Sequence, residues 1–133
     1  MQKKSGLKEK AMEVRKKILL IGENPDIALF TALQQEGYEV VSCESPQKAW
    51  GLVWPLRPHF IIVHLRQPSR RDIAVLQECR ALANGVPIIA ATSVPGHEAA
   101  MKALEEGATS FLSLPVERHT MKKVLDELAA SHG

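Results

Sequence analysis

Cysteines, aromatic residues and long apolar runs are all scarce in this sequence. The 133 residues include two cysteines, Cys43 and Cys79, and neither belongs to a CxxC or CxxH motif. A structural zinc site needs four closely arranged ligands, so we predict none and interpret both thiols as small core or semi-buried residues of a reducing compartment. No apolar run approaches the roughly 20 residues that cross a bilayer, and the first residues lack the apolar stretch of a secretory signal. We therefore expect a cytoplasmic protein without a membrane partner.

Positive charge is concentrated at the amino-terminal end, although the net charge is only +2. Residues 1–17 carry seven Lys or Arg against two Glu, and the remainder carries ten against thirteen Asp or Glu. We interpret residues 1–16 as a basic, helical, solvated extension. Because no aromatic residue stands among these lysines, nucleic acid is not the expected partner. A contact with nucleic acid or an acidic protein stays open as an alternative.

Five short apolar segments alternate with amphipathic stretches along the rest of the chain. We predict strands over 17–21, 38–43, 60–63, 86–91 and 109–112. The helices are predicted over about 25–36, 45–54, 72–83, 96–106 and 117–130. This alternation predicts one α/β domain over residues 17–131, in which a parallel sheet is covered by helices on both faces.

The first helix has a clear beginning and end in the sequence. Asn24, which precedes a proline, is the predicted N-cap, and Gly37 is the predicted stop. The apolar face of this helix is predicted to consist of Ile27, Phe30 and Leu33.

The carboxyl ends of the strands are where a ligand or a reaction is expected in an open parallel sheet. In this chain they lead into Gly22-Glu23, Cys43-Glu44, His64, Thr92 and the turn after Leu112.

Five segments, in order, carry a family resemblance that covers residues 17–128. They are Lys17–Asp26, Glu36–Val41, Arg57–Pro68, Val86–Thr92 and Ala103–Pro115. Together they resemble the receiver domain of response regulators in two-component signalling. The resemblance implies a flavodoxin-like, doubly wound five-stranded sheet of order 2-1-3-4-5.

The resemblance also implies a phosphorylation pocket, whose residues are altered in this sequence. Receivers accept a phosphoryl group on an aspartate, beside magnesium held by acidic residues. The acidic pair falls on Gly22 and Glu23, and the acceptor position falls on His64. The hydroxyl position is Thr92, and the position of the family's lysine is Leu114.

These substitutions predict a pseudo-receiver that is not phosphorylated by the family's route. Without an acceptor carboxylate no acyl phosphate forms, and Glu23 alone is a poor ligand set for a hard cation. Leu114 lacks the positive charge that would contact the phosphoryl oxygens. We therefore expect no catalytic residue, no bound metal, no cofactor and no enzymatic activity.

Thr92 and Phe111 occupy the positions of the family's switch pair. The resemblance implies that they adjoin a face formed by the fourth helix, fifth strand and fifth helix, which often binds partners. We predict that a signalling or regulatory protein binds this face independently of phosphorylation, and a homodimer through it stays open.

Two alternatives to the interaction module remain from the sequence. The first is an unconventional phosphoacceptor at His64, because an imidazole can carry a phosphoryl group. The second is a sensor of a small ligand or of nucleic acid. Its binding groups would be a basic loop with Arg66, Arg70 and Arg71, or the basic amino terminus.

Overall fold

A five-stranded parallel sheet of order β2-β1-β3-β4-β5 forms the centre of the molecule. The computed structural model describes residues 16–22, 26–44, 48–49, 51, 57–65, 70–83, 85–93 and 97–132. The strands are β1 (Lys17–Ile21), β2 (Glu39–Cys43), β3 (Phe60–His64), β4 (Ile88–Thr92) and β5 (Ser110–Ser113). The predicted fold class and strand order are confirmed.

In the part of the chain that the structure describes, four helices have defined bounds. They are α1 (Ile27–Gln35), α2 (Arg70–Ala83), α3 (His97–Glu105) and α4 (Arg118–His132). Of the helix predicted over 45–54, only residues 48, 49 and 51 are described, and they have helical backbone. The predicted fourth helix, fifth strand and fifth helix are therefore α3, β5 and α4. Within the described ranges, no helix is both long and apolar enough to cross a bilayer.

Each strand divides its side chains between two apolar layers, since successive residues point to opposite faces of the sheet. In β1, Leu19 and Ile21 join the layer on the α2 side, which also contains Leu76 and Cys79. Ile18 and Leu20 join the opposite layer, with residues of α1 and α4. Both cysteines are buried, as predicted. The central strands are therefore apolar on both faces, which explains their uninterrupted apolar runs.

The first helix begins two residues later than predicted. Its N-cap is Asp26, not Asn24, and the Asp26 side chain accepts a hydrogen bond of 2.8 Å from the backbone N–H of Leu29. Both residue types are good caps, and the aspartate satisfies a donor of the first turn. The predicted stop is confirmed: the helix ends at Gln35, and Gly37 has the left-handed φ of +95°.

The predicted apolar face of α1 is confirmed at Leu33 and wrong at Ile27. The buried residues are Leu29, Ala32 and Leu33, Phe30 is half-buried against the same layer, and Ile27 is 79% exposed. Most of this helix is apolar, so more than one face satisfies a helical period. Because Ile27 precedes Leu29 by two residues, about 200° around the helix axis, it points away from the sheet.

Candidate functional site

The parallel register brings four of the predicted pocket residues to one edge of the sheet. His64 is the last residue of β3 and pairs with Ala91, and Thr92 is the last residue of β4. The backbone N–H of Leu114 donates to the carbonyl of Thr92 at 2.8 Å, which fixes Leu114 just past β5. Gly22 follows β1, and its N–H donates to the carbonyl of Cys43 at 2.9 Å. Glu23 lies outside the described residues.

His64 lies directly over Gly22. A Cβ built on Gly22 would stand 2.9 Å from the Cβ of His64 and 3.7 Å from its Cγ and Nδ1. A contact below 3.0 Å between two such atoms requires the backbone to move, because neither atom can swing away. Glycine, which has no Cβ, therefore fits at position 22 without moving the backbone at His64.

Leu114 and Thr92 are both withdrawn from solvent at this edge. Leu114 is 7% exposed and belongs to the apolar cluster on the α1 and α4 side, where Met121 and Leu125 also lie. Thr92 is 1% exposed. A leucine in this position adds to the core, which is a structural role.

The donor atoms of the four described pocket residues do not suit a magnesium ion. Magnesium prefers oxygen ligands in octahedral geometry, usually including carboxylates. Gly22 and Leu114 offer no side-chain oxygen, His64 offers nitrogen, and Thr92 offers one hydroxyl. Among the residues that the structure describes, no group of three or more His, Cys, Asp or Glu side chains could hold a metal.

The predicted basic loop is wrong for two of its three arginines. Arg70 and Arg71 form the first turn of α2, and Arg66 lies outside the described residues. The prediction placed the helix start near its first apolar residue, Ile73, because apolar periodicity does not register a polar first turn. Arginine is a good helix former, so its presence there is physically reasonable.

Two apolar side chains on α3 are exposed, and the sequence reasoning did not single them out. Met101 is 44% exposed and Leu104 is 39% exposed. They stand three residues apart on one side of the helix, while Ala103 faces the core at 1% exposure. Helical periodicity gave no signal for this, because it would assign Met101 and Leu104 to the buried face.

Phe111 lies beside this helix on the edge strand of the sheet. It is half-buried and packs against the apolar cluster on the α2 side. In the β4–β5 register it pairs with Ala90, two residues before Thr92. Its predicted role as a switch stays a prediction.

The carboxyl end of α3 is tied to α2. The Gln77 side-chain amide donates to Oε1 of Glu106 at 2.7 Å, and Lys102 Nζ lies 3.9 Å from Oε2 of the same glutamate. The following Gly107, at φ +135°, lets the turn approach α2, where an added Cβ would lie 3.3 Å from the carbonyl of Leu76. These contacts connect the end of α3 to α2.

The fold and the residues gathered at this edge define a receiver-type α/β domain. Residues 18–126 match the family model of the response regulator receiver domain, and the chain belongs to that family. Receivers are generally non-enzymatic modules that interact with other signalling proteins.

Curated relatives and solved structures agree with this assignment. The chain is 25% identical over 112 residues to the transcriptional regulatory protein GlrR of Escherichia coli, covering 83% of this chain and 25% of that protein. It is 27% identical over 121 residues to ZraR of Salmonella typhimurium, covering 88% and 27%. The chain thus spans about a quarter of these relatives.

Two solved structures illustrate the shared fold. The chemotaxis protein CheY4 of Vibrio cholerae has a TM-score of 0.71 at 23% identity, with 86% of this chain and 99% of that chain covered. A response regulator of Chloroflexus aurantiacus has a TM-score of 0.75 at 21% identity, with 87% and 98% covered.

Proposed function

We propose that this domain is a pseudo-receiver that binds a protein partner without being phosphorylated, as a cytoplasmic module of bacterial signal transduction. In this proposal residues 17–131 form the domain, residues 1–16 are a basic extension, and no enzymatic step takes place. The observation that carries it is the packing of His64 against Gly22.

Position 22 has little room for an acidic side chain. An aspartate at position 22 would bring its Cβ within 2.9 Å of the Cβ of His64, so this chain path disfavours the paired acids of the family. At position 64 an imidazole replaces the carboxylate that would form an acyl phosphate. Both changes remove oxygen ligands from the same small volume.

Position 114 carries no positive charge. Leu114 is buried among apolar residues, so its position supplies no cation to a transferring phosphoryl group. Phosphoryl transfer depends almost entirely on positioned charges, and here they are absent from positions 22, 64 and 114.

Apolar side chains of α3 and β5 offer a surface for a partner. Met101 and Leu104 expose apolar area on α3, and Phe111 lies half-buried on the adjoining edge strand. Exposed methionine and aromatic side chains are enriched in protein interfaces. We name the surface of Met101, Leu104 and Phe111 the α3–β5 face, and we propose that it binds the partner, with α4 at its margin.

Phosphorylation is tested with intact mass spectrometry after incubation with acetyl phosphate and Mg²⁺. A phosphorylatable receiver treated in parallel shows that the reagents work. We expect no mass gain for this chain. A gain of one phosphoryl group that disappears in His64→Gln would instead establish the alternative phosphoacceptor and overturn the proposal.

Partner binding is tested by affinity capture from the native lysate, with wild type and Met101→Glu/Leu104→Glu as baits. The matched control is Ile27→Glu, which adds a charge at another exposed apolar residue, 79% exposed on α1. We expect a protein that wild type and Ile27→Glu retain and the double variant loses. Sedimentation velocity on the same three proteins shows whether the captured partner is a second copy. If the double variant retains every protein that wild type captures, the α3–β5 face is not the binding surface.

A further inference from the structure

Basic and imidazole side chains gather at the amino-terminal edge of the sheet, opposite the edge that holds His64. Lys16 immediately precedes β1, Lys17 begins it, and Arg57 and His59 lead into the neighbouring β3. Two hydrogen bonds join Lys17 and His59: the N–H of His59 donates to the Lys17 carbonyl at 2.8 Å, and the N–H of Lys17 donates to Nδ1 of His59 at 3.1 Å. Lys16, Arg57 and His59 are exposed, and Lys17 is half-buried.

The charge of this edge is positive. Partial burial lowers the pKa of His59, and the charges of Lys16 and Lys17 lower it further. Glu39 pairs with Lys17 across β1 and β2, and the charges of Asp126 and Glu36 act on Tyr38, which precedes Glu39. Glu36 is itself paired with Arg118. Among the described residues, the cations of the edge are Lys16, Lys17 and Arg57.

The imidazole of His59 is fixed as a hydrogen-bond donor. Since Nδ1 accepts the backbone N–H of Lys17, the neutral ring carries its proton on Nε2. The ring therefore presents an N–H donor on an exposed residue beside two lysines.

Arg57 has a backbone conformation that arginine seldom adopts. Its φ of +52° lies in the left-handed region, although the residue is not glycine. Such a conformation costs free energy, and strain of this kind concentrates where a side chain has a functional position to hold. An exposed arginine offers a fork of donors suited to phosphate oxygens.

The chain adds further positive charge where it enters this edge. Residues 1–15 contain five Lys or Arg and two Glu, and they join β1 through Lys16. The cationic character therefore continues from the edge into the covalently attached segment.

We propose that the surface of Lys16, Lys17, Arg57 and His59, the basic edge, binds the phosphate backbone of double-stranded nucleic acid without reading its sequence. Exposed large apolar side chains among the described residues are Ile27, Met101 and Leu104, on α1 and α3. The described residues of the basic edge therefore offer charge without an exposed large apolar side chain, which suits a polyphosphate held mainly by charge.

The preference for a duplex follows from the aromatic residues near the edge. Single strands are held by bases that stack on exposed rings. Tyr38 is half-buried and packs edge-on against the buried Phe60, with ring centroids 6.1 Å apart. Of the described aromatic residues near the edge, these two are therefore poorly placed to stack on bases. This inference is independent of the α3–β5 face and of the phosphorylation state.

The test is fluorescence anisotropy of a short labelled DNA duplex titrated with the full chain as salt rises from about 50 to 200 mM. Lys16→Gln/Arg57→Gln removes two charges from the basic edge, and Lys122→Gln/Lys123→Gln removes two from exposed positions of α4. We expect salt-dependent binding, weakened at least about tenfold by the first pair and less than about threefold by the second. The plot of log affinity against log salt has a negative slope, and its magnitude should decrease by about 1.8 for the first pair, that is by about 0.9 per lost phosphate contact.

A second readout follows the His59 imidazole by NMR during the same titration. A nearby polyanion favours the protonated ring, so the pKa of His59 should rise when the duplex is bound. Equal weakening by the two variant pairs would show that only overall charge matters and would overturn the proposal. So would an absence of duplex binding at the lowest salt, or salt-dependent binding to vesicles with phosphatidylglycerol but not to the duplex.

Discussion

Gly22 and His64 meet across β1 and β3 so closely that a Cβ on the glycine would lie 2.9 Å from the Cβ of the histidine. Ile21 of β1 pairs with Val63 of β3. Gly22 follows Ile21 and His64 follows Val63, so the strand register brings these two residues together. The close contact involves the Cβ of His64, which does not move when the side chain changes rotamer, so a rotamer change does not relieve it. The two positions are therefore expected to behave as a unit.

Adding a methyl group at position 22 tests this relationship. Gly22→Ala should lower the free energy of unfolding by about 1–3 kcal/mol, the usual cost of overpacking. The matched control is Gly51→Ala, at a helical glycine where an added Cβ meets nothing within 4 Å. That change should be neutral or stabilising by up to about 1 kcal/mol. Urea unfolding of both variants measures the difference.

A double-mutant cycle assigns the cost to His64. In a His64→Gly background the opposing Cβ is gone, so Gly22→Ala should lose most of its penalty and show a coupling of at least about 0.5 kcal/mol. An identical penalty in both backgrounds would contradict the contact.

Leu114 should behave as a core residue. Leu114→Ala is expected to lower the free energy of unfolding by about 2–5 kcal/mol, because it leaves a cavity among the apolar residues around Met121 and Leu125. Leu114→Met conserves volume and should cost less than about 1.5 kcal/mol. Chemical denaturation gives both values. A cost for Leu114→Ala below that of Leu114→Met would mean that this side chain is not packed as described.

The sequence predicted the sheet well because its signals are local. Continuous apolar runs such as that of β1 are typical of strands covered on both faces, and the glycine at position 37 marks a helix end through its own backbone preference. The strand order, in contrast, depended on the family resemblance. Periodicity alone does not say which strands are neighbours.

The errors fall where several residues satisfy the same rule. Asn24 and Asp26 are both good caps, so the helix start depends on which one meets the N–H of Leu29. Ile27 fits a helical period as well as Leu29 does, and only packing against the sheet distinguishes them. The contact of Gly22 with His64 joins residues far apart in the chain, and no local pattern contains it.

His59 should make stability depend on pH between mildly acidic and neutral values. Partial burial, then the charges of Lys16 and Lys17, lower the pKa of His59 in the folded chain. The unfolded chain takes up this proton near the ordinary pKa of about 6.5, so it binds more protons in the window just below. The contribution of His59 to the free energy of unfolding is therefore largest above about pH 6.5. It declines as the pH falls towards the lowered pKa of His59 in the folded chain.

The measurement is the thermal midpoint of wild type and His59→Gln from about pH 7.5 to 5. A glutamine oxygen can still accept the N–H of Lys17 but does not titrate. The midpoint of wild type should fall more steeply than that of the variant below about pH 6.5. Parallel curves would show that His59 is not the titrating group.

The contact between α4 and α1 should matter little for stability despite its good geometry. Arg118 donates through Nη2 to Oε2 of Glu36 at 2.6 Å and through Nη1 to Oε1 of Gln35 at 2.8 Å. The arginine side chain is 49% exposed and that of Glu36 is 21% exposed, so solvent screens the pair. Arg118→Ala should cost no more than about 1 kcal/mol and less as salt is raised. A salt-independent loss above about 2 kcal/mol would show that the pair acts as a buried one.

The two cysteines should be nearly inert in the folded protein. Cys79 is fully buried, and desolvation, with a smaller contribution from the charge of Glu78, raises its pKa to about 12. Desolvation also raises the pKa of Cys43, against a smaller opposing effect of Lys48. At pH 8 only about one Cys79 in ten thousand is then a thiolate, the form that attacks a disulfide reagent. With Ellman's reagent, Cys43→Ser should release no thiolate in native buffer and one equivalent in denaturant, whereas prompt release in native buffer would contradict the burial of Cys79.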